Sequence, residues 1–242
     1  MQLHITIQQN RPIILPINYN HILQGVIYNA LSAKSPDYAS SLHEDGDRFE
    51  KRKYKPFTFG PLKGKCAVRN KQITFFQDIV WEIRSCDDVF VDILRTYFEE
   101  SGITLLSNEL KDVKLTVSNT VINDSKVRIY VVSPVVAYST LEDNKHTYYY
   151  TPEERGFYEL TKRNALKRYA AICGEAASEL DFRPVSVKLK DKVVTRYHET
   201  IISGWRGKYE LEGDPKLIDF LYQTGLGAKN AQGFGMFNVI SP

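Results

Sequence analysis

The 242-residue sequence predicts an α+β protein in which one order of elements occurs twice: strand, helix, two strands, helix, strand. Apolar residues alternate in several short segments, as in half-buried strands, and recur every three or four residues in four longer segments, as in amphipathic helices. A polar stretch at residues 123–125 separates the two halves. Because this order is the βαββαβ pattern of a ferredoxin-like domain, we expect two such domains in tandem.

The first predicted domain covers residues 1–122. It begins with an alternating strand at residues 3–7, followed by a helix that Asn18 or Asn20 can cap and that Pro36 ends. Short strands with turn residues between them, a second amphipathic helix and a strand-like segment complete the pattern.

The second predicted domain covers residues 123–242. A strand rich in β-branched residues leads to a long helix, for which we expect Thr151 as the cap, Pro152 at the first position and Gly174 as the end. Two or three strands follow, then a short helix capped by Asp214 and a final strand.

The composition excludes several classes of protein. The three cysteines are far apart and unpaired in sequence, and the five histidines form no HxxxH or HExxH motif, so we expect neither a disulfide framework nor a metal site or other cofactor. No apolar run approaches the roughly 20 residues that span a bilayer. The start of the chain lacks a signal-peptide pattern, and we expect a cytoplasmic protein without membrane contact.

Positive charge is concentrated in one segment. Between Arg48 and Lys71 the chain has nine Lys or Arg residues and one acid, Glu50. Two interpretations remain open: a solvated basic loop, or a patch that binds a phosphodiester backbone, which the interleaved aromatic and glycine residues favour.

The segment TGLGAKNAQGFG, residues 224–235, is rich in glycine and contains one lysine. Its spacing fits neither a Walker loop nor a dinucleotide fingerprint. Seven residues follow Gly235, which are too few for the helix and strand that come after the glycines in a nucleotide-binding βαβ unit. The glycines can serve a helix-to-strand connection that needs positive φ angles. Alternatively, the loop binds a large anion through its backbone, Lys229 and Asn230.

The motif GLGAKNAQGFGMFNV resembles the C-terminal signature of the repeat-associated RNA-binding (RAMP) superfamily. More specifically, it resembles the signature of the sixth Cas protein family, the CRISPR-associated endoribonucleases that cut precursor CRISPR RNA within its repeats. LPINYNHILQGVIYNAL and SLHEDGDRFEKRKYKPFTFGPL in the first half are similar to the family's first helix and to the segment after it. The resemblance covers nearly the whole chain.

This resemblance implies metal-independent cleavage, in which a ribose 2′-OH attacks the adjacent phosphate and leaves a 2′,3′-cyclic phosphate and a 5′-OH. Such a reaction needs groups that accept and donate protons and positive charge near the phosphate. The family's catalytic tyrosine, histidine and lysine match Tyr28, His43 and Lys55, with Lys51 as the second choice for the lysine.

We expect RNA contacts from the basic segment, the basic face of the long helix and the glycine loop. The residues are Lys51, Arg52, Lys53, Lys162, Arg163, Lys167, Arg168, Gly225, Gly227, Lys229, Asn230, Gly233 and Gly235. The expected partners are CRISPR repeat RNA and a CRISPR effector complex, with the protein as a monomer or homodimer. Two alternatives stay open: a non-catalytic RNA-binding subunit of a surveillance complex, and a protein that binds a small phosphorylated metabolite.

Overall fold

The computed structural model describes residues 1–42, 47–49, 52–140, 147–176 and 179–241. The first half contains β1 (Gln2–Ile7), β2 (Ile13–Pro16), α1 (Asn20–Lys34), α2 (Pro36–Ser40), β3 (Asp47–Phe49), β4 (Arg52–Tyr54), β5 (Phe57–Phe59), β6 (Cys66–Arg69), β7 (Gln72–Phe75), β8 (Ile79–Ser85), α3 (Asp88–Ser101), β9 (Ile103–Leu105), β10 (Asn108–Leu110) and β11 (Val113–Ser118). The second half contains β12 (Lys126–Val135), β13 (Tyr138–Thr140), β14 (Thr147–Tyr149), α4 (Arg155–Cys173), β15 (Leu180–Ser186), β16 (Lys192–Tyr197), β17 (Thr200–Gly213), α5 (Pro215–Thr224) and β18 (Phe237–Ser241).

The first half is a ferredoxin-like domain. Its four-stranded antiparallel sheet has the order β11-β1-β8-β5, and α1 and α3 are the two crossover helices. Alternate residues of β1, namely Leu3, Ile5 and Ile7, are fully buried in one core with residues of both helices. The alternation in the sequence reports this burial, because successive side chains of a strand point to opposite faces.

The second half repeats the arrangement with the sheet order β15-β17-β12-β18 and the crossover helices α4 and α5. The predicted α+β fold of two tandem ferredoxin-like domains is therefore confirmed. Strand β16 pairs with the first part of β17 and extends the sheet as a hairpin. Residues 119–125 connect the two sheets. The exact boundary between residues 122 and 123 stays a prediction.

Two predicted helix caps are wrong. Neither Asn18 nor Asn20 caps α1, because both side chains bind the second half: Asn20 donates to the Gln232 carbonyl at 3.0 Å, and Asn18 accepts from Thr195 at 2.9 Å. Thr151 does not cap α4, which begins at Arg155.

Buried polar groups join the two halves near the middle of the molecule. Arg84 of β8 is 1% exposed and forms an ion pair with Glu82. Its guanidinium also donates to the Phe237 carbonyl and the Asn238 side chain, both at 2.7 Å, and lies 4.0 Å from the centre of the Tyr222 ring. These contacts fix the orientation of the two sheets relative to each other. None of the helices in the described ranges is long and apolar enough to cross a bilayer.

Candidate active site

The glycine-rich loop connects α5 to β18 and packs against the end of β12. Its four glycines have φ angles between +69° and +85°, and Lys229 has a φ of +64°. The two ends of the loop are joined by a hydrogen bond from the Leu226 amide to the Gly235 carbonyl at 2.8 Å. The Ala228 amide donates to the Val136 carbonyl of the neighbouring segment. A Cβ on Gly235 would overlap the Leu226 carbonyl. The glycines are therefore required by the loop's own packing.

Arg168 of α4 holds this loop from the inside. The side chain is 2% exposed, and its guanidinium donates to Asn230 Oδ1 and to the Gly225 carbonyl. The Asn230 amide in turn donates to the Leu226 and Phe234 carbonyls at 2.9 and 3.1 Å. Burial lowers the pKa of Arg168 to about 10. Because it faces the interior, the prediction that Arg168 belongs to an exposed basic face is wrong.

A cleft of about 590 Å³ opens beside the loop, at the junction of the two halves. Tyr28 of α1 and Lys55 line it from the first half, while Arg163 of α4 and Lys229 of the loop line it from the second. We refer to this space as the junction cleft. It brings together residues from both halves of the chain, among them Tyr28 and Lys229.

Tyr28 sits at the inner edge of the junction cleft. Its ring is half-buried against the first core and makes an edge contact with Phe57, with 6.3 Å between the ring centres. Burial, with a smaller contribution from the nearby Tyr197, raises the pKa of Tyr28 to about 12. The phenol is therefore protonated at neutral pH and can donate a hydrogen bond.

Two amines supply positive charge. The Lys55 Nζ atom is shielded from solvent although the residue as a whole is only half-buried. The Lys229 Nζ lies 5.1 Å from the centre of the Tyr138 ring, and partial burial lowers the pKa of this lysine. An ammonium group in such surroundings is only partly hydrated, so it attracts an anion more strongly than an exposed one does.

The basic face of α4 borders the same cleft. Arg163 is exposed, Lys167 is half-buried, and strands β3 and β4 lie alongside the helix. Lys162 faces another direction and forms an ion pair with Asp181 at 3.0 Å. Because β3 and β4 pack against α4, the hairpin that carries Arg52 and Lys53 reaches from the first half to the second.

Several predicted site residues are not tested by these contacts. His43 and Lys51 lie outside the described residues. Arg52 and Lys53 belong to β4, and their contact with RNA stays a prediction. The same holds for Asn230 and the four loop glycines, which are buried.

A depression of about 640 Å³ next to the junction cleft is lined by Tyr28 and Lys55 together with Ser32 and Ser40. Ser40 is the last residue of α2. Within the described ranges, no group of three His, Cys, Asp or Glu side chains could hold a metal ion.

The sequence did not reveal the residues that shape the cleft. Gln24 lies one turn before Tyr28, donates to the Ala231 carbonyl at 2.7 Å and accepts from the Tyr197 hydroxyl, so that it joins α1, the loop and the β16–β17 hairpin. Tyr54 and Asn164 also line the cleft. Their only signals were the place of Tyr54 among the aromatic residues of the basic segment and the position of Asn164 on the α4 face that bears Lys167.

Comparisons with known proteins agree with this architecture. The family model described as "CRISPR associated protein Cas6, C-terminal" matches residues 114–239. The protein named "CRISPR-associated endoribonuclease Cas6 1" of Methanocaldococcus jannaschii is 28% identical over 255 residues, which cover 98% of this chain and 91% of the relative. The "CRISPR-associated endoribonuclease Cas6" of Pyrococcus furiosus is 24% identical and covers 96% and 86% of the two chains.

A solved structure described as "An RAMP protein binding different RNA substrates" superimposes with a TM-score of 0.82. The alignment has 20% sequence identity and covers 100% of both chains. At this identity the likeness establishes the fold, and it includes both halves.

Proposed function

The chain belongs to the Cas6 family of CRISPR-associated proteins, and from this premise we propose that it is an endoribonuclease that cleaves precursor CRISPR RNA within its repeats to make guide RNAs. The observation that carries the proposal is the junction cleft, in which Tyr28 and Lys55 face the same space as Lys229. The names of the M. jannaschii and P. furiosus relatives support it. The cut RNA would then pass to a CRISPR effector complex.

The proposed reaction is an intramolecular transesterification. The 2′-oxygen of one ribose forms a bond to the adjacent phosphorus as the bond to the 5′-oxygen breaks, which leaves a 2′,3′-cyclic phosphate and a 5′-OH. One group removes the 2′ proton, another supplies a proton to the 5′-oxygen, and cations stabilise the added charge on phosphorus. Because the nucleophile belongs to the RNA and side chains supply the proton transfers and the positive charge, the reaction as proposed requires no metal.

We assign Tyr28 a role as a donor. A phenol whose pKa is raised to about 12 is a poor base at neutral pH, but it can hydrogen-bond to a phosphate oxygen or to the departing 5′-oxygen. Its edge contact with Phe57 holds the ring at the cleft wall. The hydroxyl therefore needs little reorganisation when RNA binds.

His43 is the proposed partner of Tyr28 in proton transfer. An imidazole titrates near neutral pH and can accept the 2′ proton, which leaves the donor role to the phenol. This assignment rests on the match to the family motif. The position of Ser40, three residues earlier, on a wall shared with Tyr28 and Lys55 supports it.

Lys55 and Lys229 are the proposed cations at the scissile phosphate. They approach it from opposite halves, and Arg163 and Lys167 continue the positive surface along α4 for the flanking phosphates. Lysine and arginine contacts to the backbone give affinity that falls with salt, whereas base contacts give specificity.

The test is incubation of the protein with RNA of a CRISPR repeat from its own genome, in EDTA. We expect cleavage at one position and a product with a 2′,3′-cyclic phosphate. RNA with a 2′-deoxy sugar on the 5′ side of the cut should bind with unchanged affinity and remain intact. His43→Ala should abolish cleavage, while His4→Ala, at a histidine that binds Ser118 on β11, should not affect it.

Tight binding of repeat RNA without any cyclic-phosphate product would overturn the nuclease and favour a non-catalytic RAMP subunit. Cleavage that stops in EDTA and returns with Mg²⁺ would overturn the proposed mechanism. A salt titration addresses the metabolite alternative, because an RNA that contacts many phosphates loses affinity steeply as salt rises and a ligand with one phosphate does not.

A further inference from the structure

A small pocket of about 240 Å³ opens from the junction cleft between α4 and the end of β12. Tyr54, Tyr138 and Asn164 line both spaces, so the pocket is a side chamber of the cleft. It is smaller than the roughly 300–1,000 Å³ of sites for drug-sized ligands. One nucleobase would fill it, and a run of nucleotides would not.

Two buried polar atoms in the pocket have no hydrogen-bond partner in the described part of the chain. Tyr54 is 7% exposed, and its hydroxyl has no hydrogen-bond partner among the described residues. Asn164 Oδ1 is buried as well, and no described residue donates to it. Unpaired buried polar groups are costly and rare in folded proteins, so these two atoms indicate a ligand with complementary groups.

The chemistry of the walls distinguishes a base from a phosphate. A phosphate carries no proton that the Asn164 carbonyl oxygen could accept in a hydrogen bond, and the half-buried Leu160 side chain in the wall offers it nothing. A nucleobase has apolar faces, for which Leu160 and the Tyr138 ring are suitable surfaces, and an edge with both donors and acceptors. Arg163 and Lys167 at the same pocket can bind the flanking phosphates.

We propose that this side chamber binds one adenine of the RNA, next to the cleaved bond, and that Asn164 reads it. An asparagine amide matches adenine in a bidentate manner, since its oxygen accepts from the exocyclic amine while its nitrogen donates to a ring nitrogen. Tyr54 donates a third hydrogen bond. Because Tyr54 and Lys55 both line the junction cleft, a base bound at Tyr54 lies next to the phosphate that Lys55 contacts. This inference rests on the proposed RNA-processing function.

The test compares the binding of three fluorescent RNAs, made of adenosine, cytidine or uridine alone. Each has about ten nucleotides, a length within the usual site size for single strands. We expect the wild type to bind the adenosine RNA about tenfold more tightly than the uridine RNA, within the range for one bidentate contact. Asn164→Leu, which has a similar shape, should reduce this preference to less than about twofold. Asn164→Asp, whose carboxylate only accepts, should shift the preference to cytidine.

Tyr54→Phe is the second variant, because it removes one hydroxyl and keeps the ring. It should reduce the adenosine preference by about threefold, with a melting temperature close to that of the wild type. An equal loss of affinity for all three RNAs would show a phosphate contact and overturn the base assignment. An unchanged adenosine preference in Asn164→Leu would show that Asn164 does not read the base and would overturn the proposal.

These outcomes are separable from those of the cleavage assay. If Asn164 controls the adenosine preference but no repeat RNA is cut, the adenine site is supported and the proposed nuclease activity is overturned. If repeat RNA is cut and the Asn164 variants keep the wild-type base preference, the nuclease activity is supported and the adenine site is overturned.

Discussion

At the scale of single residues, Tyr28 shows how burial determines chemistry. Its ring rests on the core beside Phe57, and the residue lines the junction cleft. The raised pKa keeps it protonated over the whole physiological pH range. A half-buried phenol in a cleft rich in cations is therefore a hydrogen-bond donor whose position is fixed before RNA arrives.

Tyr28→Phe removes only this hydroxyl. We expect the single-turnover cleavage rate to fall by about 100-fold or more, as for other losses of a proton donor, while RNA affinity changes by less than about threefold. The measurement is single-turnover cleavage with fluorescence anisotropy for binding. Tyr130→Phe, at an exposed tyrosine of β12, is the matched control and should cleave normally. Equal rates for the two variants would remove Tyr28 from the mechanism.

Arg163 and Arg168 are five residues apart on α4 and have opposite roles. Arg168→Met should lower the free energy of unfolding by about 2–4 kcal/mol, because it leaves Asn230 Oδ1 and the Gly225 carbonyl buried without donors. Arg163→Met should leave stability within about 0.5 kcal/mol and weaken RNA binding at low salt. Urea denaturation and anisotropy measure both. A stable Arg168→Met protein would contradict this division.

The sequence does not predict this difference. Both arginines belong to the same K-R-x-x-x-K-R pattern, and helical spacing alone cannot tell which side of α4 meets the glycine loop. Charge usually indicates a solvated face, but Arg168 is buried because the loop offers it carbonyl and amide oxygens. Tyr54 and Asn164 escaped prediction for the same reason: their significance depends on a chamber that exists only when the halves meet.

At the scale of elements, prediction was most successful where local pattern determines structure. The alternation in β1 and the apolar stripe of α1 follow from burial of one face, and the end of α4 follows from the left-handed Gly174. The caps of α1 were wrong because Asn18 and Asn20 have partners in the second half. Tertiary contacts of this kind override local propensity.

The glycine loop allows a prediction with a control in the same chain. Gly235→Ala should lower the free energy of unfolding by more than about 3 kcal/mol, since it combines a positive φ with overlap between its Cβ and the Leu226 carbonyl. Gly174→Ala has a similar φ of +70° but meets nothing within 4 Å, so its cost should stay near 1–2 kcal/mol. Urea denaturation of both variants measures the difference. Equal losses would mean that the close packing of the loop is unimportant.

At the scale of the whole molecule, the two halves act as one unit because the site is shared between them. Tyr28 and Lys55 come from one ferredoxin-like domain, and Lys229 and Arg163 from the other. Any change in their relative orientation would separate the proposed proton donor from half of the positive charge. The buried contacts of Arg84 oppose such a change.

Arg84→Met is the test of this coupling. The variant removes three hydrogen bonds to the second half, to the Tyr222 and Phe237 carbonyls and to the Asn238 side chain. It leaves the Glu82 carboxylate with Lys63, 3.9 Å away, as its remaining ion-pair partner among the described residues. Breaking a buried pair on one side costs about 3–5 kcal/mol, and we expect a loss of this size with a cleavage rate reduced in parallel. Arg95→Met, which removes exposed ion pairs on α3, should cost less than about 1 kcal/mol. Two separate urea transitions in the wild type would show that the halves unfold independently, and the coupling would then be absent.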